Sequence, residues 1–140
     1  MKLKALAVIG AGGSFLTYLL GGWDTAIQTL CLFMLVDYIS GLIVAGVFHN
    51  SPKTDDGTLE SRAGWKGLIR KGYTLIIVMV ANRVDLQLGT TYIRDGVCIA
   101  FMCNELISII ENGGLMGLPI PQILTNSIEI LREKGEVKNA

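Results

Sequence analysis

The sequence predicts an all-α integral membrane protein of about four short transmembrane helices, three being possible, plus a C-terminal amphipathic helix. Three observations predict it. Hydrophobic residues make up 51% of the 140-residue chain against 17% charged, with mean hydropathy +0.50, whereas a soluble domain carries about 25% charge. The apolar residues gather into four stretches separated by polar breaks. The longest of these contains LCLFMLVDYISGLIVAGVF at 30–48, which carries one acid, Asp37, near its middle.

The first stretch, 5–20, follows Lys2 and Lys4. It resembles a signal peptide in length, but no A-x-A-like site follows and GGWD leads directly into the next apolar run. It reads as a short span. Gly10 with Ser14, and Gly13 with Thr17, have the small-xxx-small spacing that lets helices approach closely in lipid.

The second stretch, 25–48, has 24 residues, about 36 Å as a helix and enough to cross the hydrocarbon core. Its twelve Leu, Ile, Phe and Val residues favour insertion by roughly 4 to 7 kcal/mol, against about 3 for Asp37 at the centre. The segment inserts despite its aspartate.

The third span is expected over 67–88, with Arg70 and Lys71 near one end and Arg83 and Asp85 near the other, where basic side chains reach the interface. The fourth is expected over 91–110 and includes Asn104 and Glu105. ENGG at 111–114 reads as its stop. Residues 1–112 thus form a transmembrane domain and 113–140 a C-terminal helix and tail. In that helix Ile123, Leu124, Ser127, Ile128 and Leu131 fall on one face, and the surface helix is expected to end before Gly135.

Five basic residues lie in 49–71 (Lys53, Arg62, Lys66, Arg70, Lys71) and none in the turn 21–24. The positive-inside rule therefore places the N-terminus and the 49–71 segment in the cytoplasm and the GGWD turn outside. Four spans return the last helix to the cytoplasm; three leave it outside.

Asp37, Gly41 and Ala45 recur every four residues and share one helix face, packed on protein or lining water, since lipid rewards neither acid nor small residues. Two readings of Asp37 follow: a structural partner for Arg83 or a neighbouring backbone, or a pore-lining or gating group. In the fourth span Glu105, Ser108 and Asn112 share a face, overlapped by Asn104, Ser108 and Glu111. That face meets other helices or water, or else Glu105 is an inert hydrogen-bonded core acid.

Zero formal net charge argues against general binding to nucleic acid. Cys31, Cys98 and Cys103 are odd in number, lack a CxxC pair and fall in apolar runs, so they read as small buried hydrophobes. His49 stands alone at a membrane boundary, and no nucleophile or paired-acid arrangement signals catalysis. No cofactor or metal is implied, and GAGG at 10–13 is not GxGxxG. Trp23, Trp65 and Tyr92 fall where spans meet water; Tyr38 belongs to the packing.

GGWD at 21–24, DYISG at 37–41, SRAGWKGLIRK at 61–71 and NELISIIENGGLMGLPIP at 104–121, in that order, resemble the toxin-secretion/phage-lysis holin family of Gram-positive phages, which includes clostridial toxin-release holins. The likeness covers about 15–125, and the last block is the most specific. The family pattern carries over Asp37, Tyr38, Gly41, Gly64, Gly67, Lys71, Asn104, Glu105, Ser108, Glu111, Asn112, Pro119 and Pro121. The loop 50–60, with Asp55, Asp56 and Gly57, departs from it in being longer and more polar. The resemblance implies a self-associating protein of the host cytoplasmic membrane whose lesions release an endolysin or a toxin. The competing classes are a small multidrug or proton-coupled transporter and a non-permeabilising antiholin or scaffold.

Overall fold

Five helices follow one another in the computed structural model, which describes residues 1–139 and the side chains through residue 136: α1 (Lys2–Leu19), α2 (Thr25–Gly46), α3 (Ser61–Leu88), α4 (Ile93–Leu115) and α5 (Gln122–Asn139). The described residues contain no strand. The all-helical expectation holds. Among the described residues, however, only α2 is long and apolar enough to cross a membrane. The reason lies in the charges: α1 starts on Lys2 and Lys4, α3 carries Arg62, Lys66, Arg70, Lys71, Arg83 and Asp85, and α4 carries Arg94, Asp95, Glu105 and Glu111.

Helices α2, α3 and α4 enclose the main core, Ile27, Leu30 and Met34 meeting Val78, Cys98 and Met102. Cys98 and Cys103 are buried and Cys31 is half-buried, and all three are free thiols. A smaller core joins α4 to α5 through Cys103, Leu106 and Ile128, with Leu131 beside them. The C-terminal helix therefore docks on α4 by part of its apolar face, while Ile123 at its start stays exposed. Helix α1 is the exception. It has no buried residue, and it meets the rest at its C-terminal end.

Two expected helix stops are overturned, both at glycines. Helix α4 runs through Gly113 and Gly114, because Gly113 is where the Ile120 side chain packs: a Cβ there would lie 2.7 Å from Ile120 Cδ1. The chain turns at Gly117, whose φ of +78° suits glycine, with Gly117 N–H bonded to Gly114 O at 3.0 Å. Helix α5 likewise continues past Gly135, which is buried against Ile99; a Cβ would sit 3.1 Å from Ile99 Cγ2. Glycine there permits close helix approach. Helix α3 also starts earlier than its expected span, at Ser61.

One end of the bundle is tied by Arg94, only 6% exposed at the start of α4. Its Nη1 and Nη2 donate to Asp24 at 2.7 and 2.9 Å, and its Nε donates to Leu20 O at 2.6 Å. Asp24 also caps α2, accepting from Ile27 N–H at 3.1 Å. The Arg94 guanidinium holds the Asp24 carboxyl below its ordinary range, against the opposing effect of partial burial. Asn82 donates to Leu19 O at 3.1 Å. Buried Asp85 accepts from the Ile93 and Arg94 N–H groups and the Thr90 hydroxyl, so an acid of α3 caps α4.

Gly21, in the turn between α1 and α2, has φ +85°, and a Cβ there would lie 2.5 Å from Asn82 Oδ1 and 2.8 Å from Arg94 Nε. Gly21→Ala should therefore lower stability by roughly 1–3 kcal/mol. Gly12→Ala, with nothing within 4 Å, should cost nothing. Reversible unfolding in detergent measures both; equal stability of the two variants would contradict the account of the turn.

Candidate functional site

Halfway along the bundle the helices meet through charge. Lys71 of α3 points between α2 and α4, its Nζ 2.6 Å from Asp37 Oδ2 and 2.6 Å from Glu105 Oε2. The side chains are 15%, 8% and 14% exposed for Lys71, Asp37 and Glu105. A buried charge is costly unless it is paired and hydrogen-bonded, and each member of this triad is both. Asn112 of α4 completes the arrangement: its Nδ2 donates to Asp37 Oδ1 at 3.0 Å and approaches Ser40 Oγ at 2.8 Å and Asp37 O at 3.2 Å.

The helical repeat explains why these groups meet. Asp37, Gly41 and Ala45 lie one turn apart on α2, and this is the face turned to α4: Ala45 is buried and Gly41 lies near the Asn112 amide. Glu105 and Asn112 lie two turns apart on α4, Asn112 bonded to Asp37 of α2 and Glu105 to the Lys71 of α3 that also meets Asp37. The partner expected for Asp37 was Arg83 or a backbone group. The structure gives Lys71 and Asn112 instead, and Arg83 is exposed.

Above the triad opens a cavity of about 570 Å³ between α2, α3, α4 and the loop 47–60. Asp37, Lys71 and Glu105 line it together with Asn104 and Ser108, whereas Glu111 is exposed and takes no part. Tyr38 crosses to α3, its hydroxyl donating to Gly64 O at 3.4 Å and its ring lying against Gly67. Asn50 of the loop donates to Leu115 O at 3.3 Å, fixing the loop to the end of α4. Of the residues singled out in the sequence, then, Asp37, Lys71, Glu105 and Asn112 form one cluster. Tyr38, Gly41, Ala45, Asn104 and Ser108 surround it.

The Arg94–Asp24 pair and the Asp85 cap were not foreseen. The signal was present in GGWD, where an Asp directly precedes an apolar helix, and in Arg94, a base expected inside a span without a named partner. Among the described residues, no group of three His, Cys, Asp or Glu side chains could hold a metal ion. The chemistry available here is charge pairing and hydrogen bonding. Every buried side-chain N or O atom among the described residues has a hydrogen-bond partner.

Lys71→Met leaves two buried carboxylates facing each other and should lower stability by about 3–5 kcal/mol. Lys66→Met, exposed and in no ion pair among the described residues, should shift it by less than about 0.5 kcal/mol. Unfolding in detergent distinguishes them, and equal losses would show that the triad is energetically idle.

Comparison with known proteins adds a lineage to this geometry. The model of the bacteriophage holin family matches residues 14–133. Over 131 residues the chain is 39% identical to an uncharacterised protein of Listeria innocua, covering 93% of this chain and 87% of that one. It is 33% identical to an uncharacterised 14.9 kDa protein in the nagH 3′ region of Clostridium perfringens, covering 87% and 88%. A probable holin of Bacillus phage phi105 is 26% identical over 113 residues, 80% of this chain and 78% of the phage protein. No solved structure matches.

Proposed function

The chain belongs to the bacteriophage holin family, a family of membrane proteins and not of enzymes, and we propose that it assembles into lesions in the host cytoplasmic membrane. Those lesions would release an endolysin to the cell wall, or a toxin from the cell. The observation that carries the reading beyond family membership is an inside-out distribution of polarity. Asp37, Lys71, Glu105 and Asn112 face inward. Leu32, Leu35, Val36, Ile39 and Ile43 of α2 and Ile69, Tyr73, Ile76 and Val80 of α3 face outward. Lipid favours that outer surface, and a polar interior becomes a wall for water once the helices part.

In this reading α1 to α4 are the four spans, with the N-terminus and the loop 47–60 in the cytoplasm. Support comes from the basic residues of 49–71 and from the loop's bond to the end of α4. One chain of this size cannot enclose a protein-sized hole, so self-association is required. Helix α1 offers a face for it: Gly10, Gly12 and Gly13 have nothing within 4 Å, which suits close packing on a neighbouring helix. The triad would keep the monomer closed until chains crowd together.

Induced expression of the chain alone should abruptly collapse the membrane potential, with lysis following only when a muralytic enzyme is co-expressed. Growth at high expression with the potential intact would favour the transporter or the antiholin instead. Topology is tested by cysteine labelling after replacing Cys31, Cys98 and Cys103. Position 53 should react from the cytoplasm and position 23 from outside; position 130 reacting only from outside would replace four spans with three.

A further inference from the structure

Four cations around the cavity bias the topology by their charge but have no partner in the site described above. Lys53 of the loop and Arg62, Lys66 and Arg70 of α3 line the cavity and are exposed. None belongs to an ion pair among the described residues. Arg62, Lys66 and Arg70 recur every four residues and so form one ridge along α3. Lys71, one residue on, is neutralised by Asp37 and Glu105. Among the other lining residues only Glu60 is acidic. In a chain of zero net charge, this mouth is a local concentration of positive charge.

A mainly apolar groove of about 360 Å³ adjoins the cavity and shares Tyr38, Leu42, Leu59, Glu60 and Gly64 with it. Its outer wall is Trp65, 65% exposed, and Leu68. A free anion would satisfy the cations and leave this groove empty. A ligand with an anionic head and a hydrocarbon tail satisfies both.

We propose that the cavity mouth is a binding site for an anionic phospholipid. Its phosphate sits among Lys53, Arg62, Lys66 and Arg70, and one acyl chain lies in the groove beside Trp65. Basic pockets between membrane helices on the cytoplasmic side recognise such headgroups. The floor carboxylates, Asp37 and Glu105, keep the phosphate at the mouth by repulsion. The proposal rests on the membrane reading of the chain, and it makes the lipid a wedge between α2 and α3 directly above the triad.

The test uses the full chain carrying Trp23→Phe, which leaves Trp65 as the sole tryptophan of the two in the sequence. It is reconstituted in phosphatidylcholine bilayers containing a fixed fraction of phosphatidylglycerol, with bromine on the acyl chains of one lipid or the other. Per brominated lipid, phosphatidylglycerol should quench Trp65 at least about twofold more than phosphatidylcholine, as a headgroup-selective site demands. Arg62→Gln, Lys66→Gln and Arg70→Gln together should equalise the two lipids, while Lys2→Gln with Lys4→Gln should leave the preference intact. Equal quenching in the parent protein overturns the lipid site and spares the membrane reading; no quenching by either lipid overturns the membrane reading itself. Equal quenching by the two lipids, together with a change in Trp65 emission on adding inorganic phosphate at constant ionic strength, identifies a free-phosphate site and overturns the lipid. Equal loss in the Lys2 and Lys4 variant reduces it to diffuse surface attraction and overturns the site.

Discussion

Lys71 is shared by two carboxylates on two different helices, and the packing of α2, α3 and α4 depends on that arrangement. In an apolar environment none of the three charges is stable alone. Each carboxylate is held by a 2.6 Å contact with the one Lys71 ammonium, which in turn is held by both. Taking two ions out of water can cost as much as their attraction returns, so the triad adds little net stability compared with an apolar core. What it adds is conditionality. The helices must meet in one register, because the two carboxylates without Lys71, or Lys71 without both carboxylates, would be left as unpaired buried charge.

The second polar layer, at the other end of the bundle, works differently. Arg94 and Asp85 satisfy carbonyls and N–H groups at helix ends, and Asp24 serves both a helix cap and an ion pair. These bonds fix turns; they connect the exposed helix α1 to the bundle by its last residues only. The molecule thus has a tied end, a charged middle and an open cavity at the opposite end. Parting α2 from α4 exposes Asp37, Glu105 and Asn112, groups that water solvates and lipid does not. For the lesion proposed above, such an interior would be stable in the closed chain and favourable to water once opened.

Much of this was legible in the sequence. A carboxylate, a glycine and an alanine at four-residue spacing identified the inward face of α2, because neither acid nor small residue belongs against lipid. The face of Glu105 and Asn112 on α4 followed from the same spacing. The identity of Asp37's partner was not legible, since Lys71 and Arg83 both lie on α3 and only three-dimensional packing selects between them. Gly113 and Gly135 misled for a related reason. A glycine that ends a helix and one that admits a neighbouring side chain look alike in sequence, and here Ile120 and Ile99 supply the distinction. The polar ties of Arg94 were hidden because Asp24 lies 70 residues away in the chain and two further acceptors, Leu20 O and Gly22 O, are backbone carbonyls, which sequence does not mark.

In the function proposed above, the triad's charge, rather than its shape, keeps the monomer closed. The direct test is the neutral triple variant, Asp37→Asn with Lys71→Met and Glu105→Gln, measured for lysis onset in cells carrying a muralytic enzyme and matched to wild type in membrane abundance and in stability to unfolding. Neutral side chains of similar volume leave no unpaired charge, so the protein should fold and accumulate. Its lysis onset should depart from that of the wild type. A variant that is folded, equally abundant and lyses on the wild-type schedule would contradict the account and leave the triad as packing alone.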